Sequence, residues 1–267
     1  MHALVEARTQ ALEFATIRRN VVIAVVLASL AICQVVLLAL PLGQLIAEGD
    51  LQATPADVLG LVLRNQIFVN ILAGVIGLSA SASDQRSGML AARISAWGRR
   101  PALAHGLWLY ALTAACTMAV PAAALSFLAV WNFHPDGVTM GFSSLALAVP
   151  LSAIAFLHHL AWGVLCGCVT NRYWLQLGML FAAPWILLPI IRGVLLTQGA
   201  GGWMQQVVQL LPFESAAGLN AWSGSANALT GVPSQSPVPL LVACLALVAL
   251  AAVAHWRRTM HGRVDPN

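Results

Sequence analysis

The chain has 267 residues, of which 8% are charged and 60% are hydrophobic. An ordinary soluble domain carries about a quarter charged residues, and a soluble surface cannot be covered with so few. The composition therefore excludes a soluble globular domain, a disordered chain and a secreted disulfide scaffold. It indicates an all-α, polytopic membrane protein. The formal net charge is +4, and all 13 basic residues are arginines.

The first predicted element is an amphipathic helix over residues 3–19 that lies in the membrane interface. Its polar residues fall within about 100° of one another on a helical wheel, with small and apolar residues roughly opposite. The polar residues are Glu6, Thr9, Gln10 and Glu13, and the opposite face carries Leu4, Ala7, Ala11 and Ala15. Such a helix can rest on a bilayer before the chain enters it, although a cytoplasmic cap of no special role has the same pattern.

Six apolar segments follow, each long enough to cross a bilayer as a helix. They cover about 21–40, 58–80, 102–130, 142–169, 174–196 and 238–253. The first is too long for a signal peptide and follows a structured-looking segment. The second carries a polar run that includes Arg64, Asn65 and Asn70, and the fifth contains Pro184 and Pro189, which are expected to kink it.

Arginine placement predicts the orientation. Eleven of the 13 arginines precede the first span, follow the sixth, or lie in the connections after the second and fourth spans. The opposite loops, about 41–57, 131–141 and 197–237, contain no arginine and hold five acidic residues. Because arginines concentrate on the cytoplasmic side of membrane proteins, both termini are predicted to be cytoplasmic.

The connection over residues 81–101 is the longest predicted cytoplasmic loop. Ser83 can cap a short helix with Asp84 in its first turn, and helical spacing resumes after Gly88. An amphipathic helix here would be a docking surface for a soluble partner. A solvated basic turn that only fixes topology fits the composition equally well.

The loop over residues 197–237 is predicted to lie outside. Glycine, proline and serine mark both ends as irregular. Its middle is apolar around Val207, Leu211 and Phe213, which suits an interfacial or partly re-entrant helix. Trp203 and Trp222 are typical residues for a membrane surface.

The sequence contains no recognisable catalytic motif. It contains no phosphate-binding glycine loop, so the chain is not expected to bind ATP itself, and it contains no serine elbow. Cys166 and Cys168 are too close and too isolated for a metal site. Gly163 and Gly167 form a close-packing signal for helices. Arg64 and Arg192, the two arginines within spans, either face a cavity or partner or reach out to the outer surface.

Histidines within the spans leave a haem or metal alternative open. His158 and His159 lie in the middle of the fourth span, but neighbours on a helix point about 100° apart and should not face one ligand together. His105 and His255 lie near the predicted cytoplasmic ends, at a different depth. A polar group facing a cavity is therefore favoured.

Taken together, the chain resembles the permease subunit of a type-2 ABC exporter along nearly its whole length. The local match is Asp84-Gln85-Arg86-Ser87-Gly88-Met89-Leu90 followed by Arg99-Arg100-Pro101, with Met89 where a threonine is usual and Ala96-Trp97-Gly98 where a proline is common. Leu211-Pro212-Phe213 resembles the family's lead into its last external helix.

The resemblance implies how the chain would work. The coupling helix that docks into an ATPase would contain Asp84, Arg86, Ser87, Gly88, Met89, Leu90 and Arg93. Two permease subunits, identical or related, would join two ATPase subunits, and ATP with magnesium would be bound only by those partners. The pathway would lie between the permeases, lined by spans one, two and five. Candidate pathway or gating residues are Arg64, Asn65, Asn70, Pro184, Pro189, Phe213 and Glu214.

The resemblance also implies a location and a class of cargo. The chain would be a non-enzymatic efflux subunit of the bacterial cytoplasmic membrane, in contact with lipid and not with nucleic acid. Its mostly apolar spans suit a hydrophobic or amphipathic substrate, such as a drug, an antimicrobial peptide or a lipid-like molecule. The alternatives are a membrane redox or haem protein that uses the histidines, and a membrane anchor that transports nothing.

Overall fold

The computed structural model describes residues 2–48, 54–86, 100–133, 142–197, 202–220 and 236–261. These residues form helices α1 (His2–Thr16), α2 (Arg18–Ala47), α3 (Pro55–Arg64), α4 (Ile67–Arg86), α5 (Arg100–Phe133), α6 (Phe142–Val169), α7 (Tyr173–Ala182), a π-helix (Ala183–Leu187), α8 (Leu188–Thr197), α9 (Gly202–Leu210), α10 (Glu214–Asn220) and α11 (Pro237–His261). The described residues contain no strand.

Six stretches of these helices are long and apolar enough to cross a membrane, which confirms the predicted all-α polytopic fold. They are Asn20–Leu38, Asp57–Ala82, Leu103–Val130, Ala146–Val169, Tyr173–Thr197 and Pro237–Met260. The helices of spans one, three and six extend several residues beyond the predicted apolar segments at one or both ends. An apolar count stops at the first polar residues, whereas backbone hydrogen bonding continues past them.

The second span is broken, which the sequence did not predict. Thr54 and Asp57 form a reciprocal capping box at the start of α3, and Pro55 occupies its first turn. The helix ends at Arg64, and α4 begins at Ile67. At the break, the backbone carbonyl of Asn65 accepts from the N–H of Ile67 over 2.7 Å and from the side chain of Gln34 in α2.

Helix α6 is the centre of the bundle. It packs against α4, α5, α7, α10 and α11, and 56% of its span is buried inside the chain. Its closest neighbour is α4, where a Cβ added to Gly163 would lie 2.0 Å from the carbonyl oxygen of Gly74. The glycine pattern at Gly163 and Gly167 therefore serves packing between two helices of the same chain.

Helix α1 carries its polar face inward. Glu6 and Gln10 are buried, while Leu4 is 67% exposed and Leu12 is 55% exposed. The helix packs along α5, where the absence of a side chain at Gly106 makes room for Glu6. The helical wheel predicted the two faces of α1. In the structure the polar face packs against protein, and much of the opposite face is exposed and available to lipid.

Spans one and five lie at the edge of the bundle. Only 11% of each is buried inside the chain, against 56% for span four. Span five changes to a π-helix at Ala183–Leu187, where Pro184 was predicted to kink it. Proline removes a helical hydrogen bond, and a wider helical turn is one way to accommodate that loss.

At one end of the bundle, the start of α5 lies near the end of α11, and the end of α11 contacts the end of α6. The ring of His105 at the start of α5 lies 5.6 Å from that of Trp256 near the end of α11. Arg258 donates to the carbonyl of Gly167 and to the side chain of Asn171 at the end of α6. The assignment of this end to the cytoplasm stays a prediction.

The predicted coupling loop lies largely outside the described residues. Helix α4 continues to Arg86, so Ser83 and Asp84 lie inside it and do not start a new helix. No glycine or proline interrupts this stretch before Gly88. Ser87, Gly88, Met89, Leu90 and Arg93 lie outside the described residues.

Candidate functional site

Phe213 is half-buried and is held in an unusual backbone conformation against the central helix α6. It lies between α9 and α10 with φ at 70°, the one positive value at a non-glycine residue in the described part of the chain. Its N–H donates to Nε2 of His158 over 3.2 Å. Nδ1 of His158 is 3.4 Å from the carbonyl oxygen of Cys244. Because Nε2 accepts, the His158 ring donates through Nδ1, and α6 thereby joins the α9–α10 corner to α11.

Three rings of α6 surround the ring of Phe213. Its centroid lies 5.4 Å from that of His158, 5.2 Å from that of His159 and 5.6 Å from that of Trp162. His158 and His159 were not expected to face one ligand together, because neighbours on a helix point about 100° apart. That expectation is wrong in one respect, since both imidazole rings contact the ring of Phe213. Such edge-on and tilted ring contacts are favourable, and they hold a backbone conformation that is costly for a non-glycine residue.

A small cavity lies against this aromatic cluster, between α4, α6 and the middle of span five. Its volume is about 10 Å³, which is room for one water molecule. Its walls include residues from two irregular backbone segments. One is the π-helix, and the other is the turn at Phe213 between α9 and α10. The residues that define it are Asn70, His159, Trp162, Pro184, Trp185 and Phe213.

Two of the cavity residues carry a buried polar atom that has no hydrogen-bond partner in the described structure. These atoms are Oδ1 of Asn70, an acceptor, and Nε1 of Trp162, a donor. Asn70 is 7% exposed. Buried polar groups are nearly always paired. Both atoms have almost no accessible surface, so they lie behind the lining of the cavity and not on its open face.

An ion cluster lies beside the Phe213 corner. Glu214, in the first turn of α10, is 3.3 Å from the guanidinium of Arg192 and 4.0 Å from that of Arg64. The side chains of Arg64 and Glu214 are 22% and 21% exposed. The carboxylate therefore ties α10 to the end of α3 and to α8.

The predicted pathway residues separate into four groups. Asn70, Pro184 and Phe213 line the cavity, and Arg64 with Glu214 belongs to the ion cluster. Asn65 lies at the break of span two. Pro189 is exposed on α8 and does not line the cavity.

His159, Trp162 and Trp185 were not among the predicted site residues. His158, His159 and Trp162 are three or four residues apart or adjacent, a spacing that places parts of one α6 surface together. That spacing was visible in the sequence. What was not visible is that a loop residue fifty positions later would insert its ring among them.

The haem alternative meets a geometric obstacle at His158. Both of its ring nitrogens have protein partners, so an iron ligand would have to displace one of them. Nδ1 of His159 bonds the carbonyl oxygen of Ala155 at 2.8 Å. Among the described residues, no group of three or more His, Cys, Asp or Glu side chains could hold a metal ion.

Fold and site together define an all-helical, multi-pass membrane protein with a small cavity, lined largely by aromatic side chains, beside a broken span. Comparison of the chain with known protein families and with curated protein sequences finds no match.

Proposed function

We propose that the chain is the permease subunit of an ATP-driven exporter of the type-2 ABC class. It would work as a dimer with an identical or related permease, bound to two copies of a separate ATPase. Both termini would face the cytoplasm of a bacterial cell, and the cargo would be a hydrophobic or amphipathic molecule.

The observation that carries this proposal is the pair of short helices before the last span. Helices α9 and α10 meet at Leu211-Pro212-Phe213, the segment that resembles the exporter family, and pack the half-buried ring of Phe213 against α6. A loop that only connected two spans would have no need to pack an aromatic ring against the central helix. Loops and broken helices at the centre of a bundle are typical of proteins that move molecules across membranes.

Helix α4 supports the proposal as a mechanical link. It runs without interruption from the break at Asn65 and Gln66 to Arg86, where the predicted coupling segment begins. Asn70 of the cavity and Asp84 therefore share one rigid helix. A push on the coupling segment by a closing ATPase would be transmitted along α4 to the cavity, and the break would allow α4 to move relative to α3.

Energy must come from another chain in this proposal, because the sequence contains no phosphate-binding loop. ATP would shift the equilibrium between inward-facing and outward-facing states by binding the ATPases better in one of them. The permease would contribute the pathway and the coupling segment, and no catalytic step.

Co-expression with an ATPase encoded beside this chain tests the proposal. The two proteins should co-purify, and deletion of residues 84–95 should abolish their association. Substitution of Gly88 or Leu90 should leave ATP hydrolysis running while transport stops. Arg172→Gln, in the other predicted cytoplasmic turn, is the control and should preserve both. Stable association after the deletion would refute the coupling role, and a haem absorption band in the purified chain would favour the redox alternative.

A further inference from the structure

Two arginines share a single carboxylate at the turn where α10 begins. Glu214 lies 3.3 Å from the guanidinium of Arg192 in α8 and 4.0 Å from that of Arg64 at the end of α3. Among the described residues, no other carboxylate pairs with either arginine. The cluster therefore carries an excess of one positive charge.

The guanidinium of Arg64 has hydrogen-bond donors to spare. Its separation of 4.0 Å from the carboxylate is longer than a hydrogen bond, and no other group in the described part of the chain accepts from it. The side chains of Arg64 and Arg192 are 22% and 42% exposed, so a molecule outside the chain can reach both. The two oxygens of Glu214 face different guanidiniums, so the distance between the arginines is one that a single small anion spans.

The surroundings of Arg192 are apolar and lie at the edge of the bundle. Arg192 is five residues before Thr197, the end of α8, and 11% of span five is buried inside the chain. A charge within an apolar span is costly unless an opposite charge accompanies it, and an arginine near the end of a span can reach the lipid headgroups. Residues three and four positions away share its side of α8. They are apolar and at least partly exposed, namely Leu188, Pro189, Leu195 and Leu196.

We propose that Arg64 and Arg192 bind the phosphate group of an anionic phospholipid whose acyl chains lie along span five. Arginine pairs with phosphate oxygens through charge-assisted hydrogen bonds. The excess positive charge favours a headgroup with a net negative charge over a zwitterionic one, whose ammonium group the arginines repel. The apolar surface beside Arg192 favours a lipid over a free anion, because only a lipid covers that surface as well.

The binding itself does not rest on the proposed function. In the proposed exporter, spans two and five would line the pathway, so a site built from Arg64 and Arg192 would face it. The cargo would then be an anionic amphiphile, and only this statement about cargo rests on the exporter function.

Photo-crosslinking in lipid nanodiscs tests the proposal at the site itself. The whole chain is reconstituted in phosphatidylcholine that contains a small fraction of photoactivatable phosphatidylglycerol or photoactivatable phosphatidylcholine. Both probes carry the same diazirine close to the headgroup. Adducts on residues 186–197 are measured by tandem mass spectrometry, and the readout is the labelling ratio of the two probes. The wild-type chain should favour phosphatidylglycerol about fivefold, the scale of one net charge near a membrane surface.

Charge variants should change this ratio in steps. Arg64→Gln or Arg192→Gln removes the excess charge and should bring the ratio to about one, while the remaining arginine still holds Glu214. Glu214→Gln leaves both guanidiniums without a carboxylate and should raise the ratio by about a further fivefold. Since that variant also loosens α10, a rise separates recognition of charge from loss of structure. Arg172→Gln is the control, because Arg172 is exposed at the opposite end of span five. It should leave the ratio unchanged.

Several results would overturn the proposal. The wild-type ratio could be about one, or the wild-type preference could survive either single arginine substitution. Glu214→Gln could lower the ratio, as expected if an intact turn and not charge held the lipid. Neither probe could label residues 186–197, as expected if protein covers that surface.

A competition arm distinguishes a lipid from a free anion. Excess inorganic phosphate at constant ionic strength should leave the ratio unchanged, and a fall to about one would assign the two arginines to a free anion instead. Failure of the chain to associate with an ATPase would count against the exporter and leave the labelling ratio unaffected.

Discussion

Single glycines set the distance between the two central helices. A Cβ at Gly163 would approach the carbonyl oxygen of Gly74 to 2.0 Å, and one at Gly77 would approach that of Leu160 to 2.0 Å. Both obstacles are backbone atoms, which cannot turn aside as a side chain can. Close backbone approach at small residues is a principal source of helix association in membranes, and here it brings α4 and α6 together at Gly74 and Gly163.

Gly163→Ala should therefore destabilise the protein strongly. The helices α4 and α6 must separate to admit the methyl group, at a cost of roughly 3 kcal/mol or more, at or above the upper part of the range for overpacking. Thermal unfolding in detergent should show a large fall in Tm. Gly178→Ala is the matched control, because nothing lies within 4 Å of its added Cβ and alanine favours a helix. Equal Tm values for the two variants would contradict the close contact.

At the scale of elements, the short helix α10 is held by charge as well as by packing. Glu214 bonds Arg192 of α8 and lies near Arg64 at the end of α3. Two guanidiniums around one carboxylate make each contact partly redundant. These groups are partly exposed, so a single pair contributes less than about 1 kcal/mol, and the cluster serves to fix the position of α10 more than to stabilise the fold.

This redundancy predicts an unequal set of variants. Arg64→Gln or Arg192→Gln alone should change little, because Glu214 keeps one partner. Glu214→Gln, or both arginine substitutions together, should release α10. Hydrogen exchange of residues 211–220 measures this and should accelerate clearly in those two cases, with a Tm shift of only a few degrees. Additive effects of the two arginine variants would show that the carboxylate is not shared.

At the scale of the whole molecule, burial is distributed unevenly among the spans. Spans one and five are 11% buried inside the chain, and their apolar side chains face outward. Lipid can cover such surfaces, and so can a second copy of the chain. The proposed exporter needs the second copy there, since its pathway would run between spans one, two and five of two permeases.

Native cysteines offer a test of this arrangement. Cys33 is exposed on span one and Cys116 is exposed on span three. Oxidation with copper phenanthroline in membranes should yield a disulfide-linked dimer of the wild-type chain. Cys33→Ala should abolish that dimer, and the matched variant Cys116→Ala should leave it. The opposite pattern would place span three, and not span one, at the contact between copies.

Much of the fold was predictable from the sequence because lipid imposes a simple demand. Residues that enter a bilayer must be apolar over a fixed length, and arginines gather on one side. The six spans follow from this demand. The polar run of span two, the prolines of span five and the helical middle of the last loop could also be recognised in the sequence, because they differ from the apolar spans around them. Asn70, Pro184 and Phe213 were predicted as candidate site residues because polar, kink-forming and motif residues stand out against an apolar background.

The tertiary structure determined which helices and which side chains contact one another. Sequence periodicity separates the polar and apolar faces of α1, but burial of Glu6 beside Gly106 depends on how α5 packs. The same sequence run that reads as one span forms two helices, α3 and α4, and Gln34 from another helix bonds the backbone carbonyl of Asn65 at the break. The cavity itself unites Asn70, Trp162 and Phe213 across more than a hundred residues. The apolar composition determined that the chain enters a membrane, and contacts between distant helices determined which side chains line its cavity.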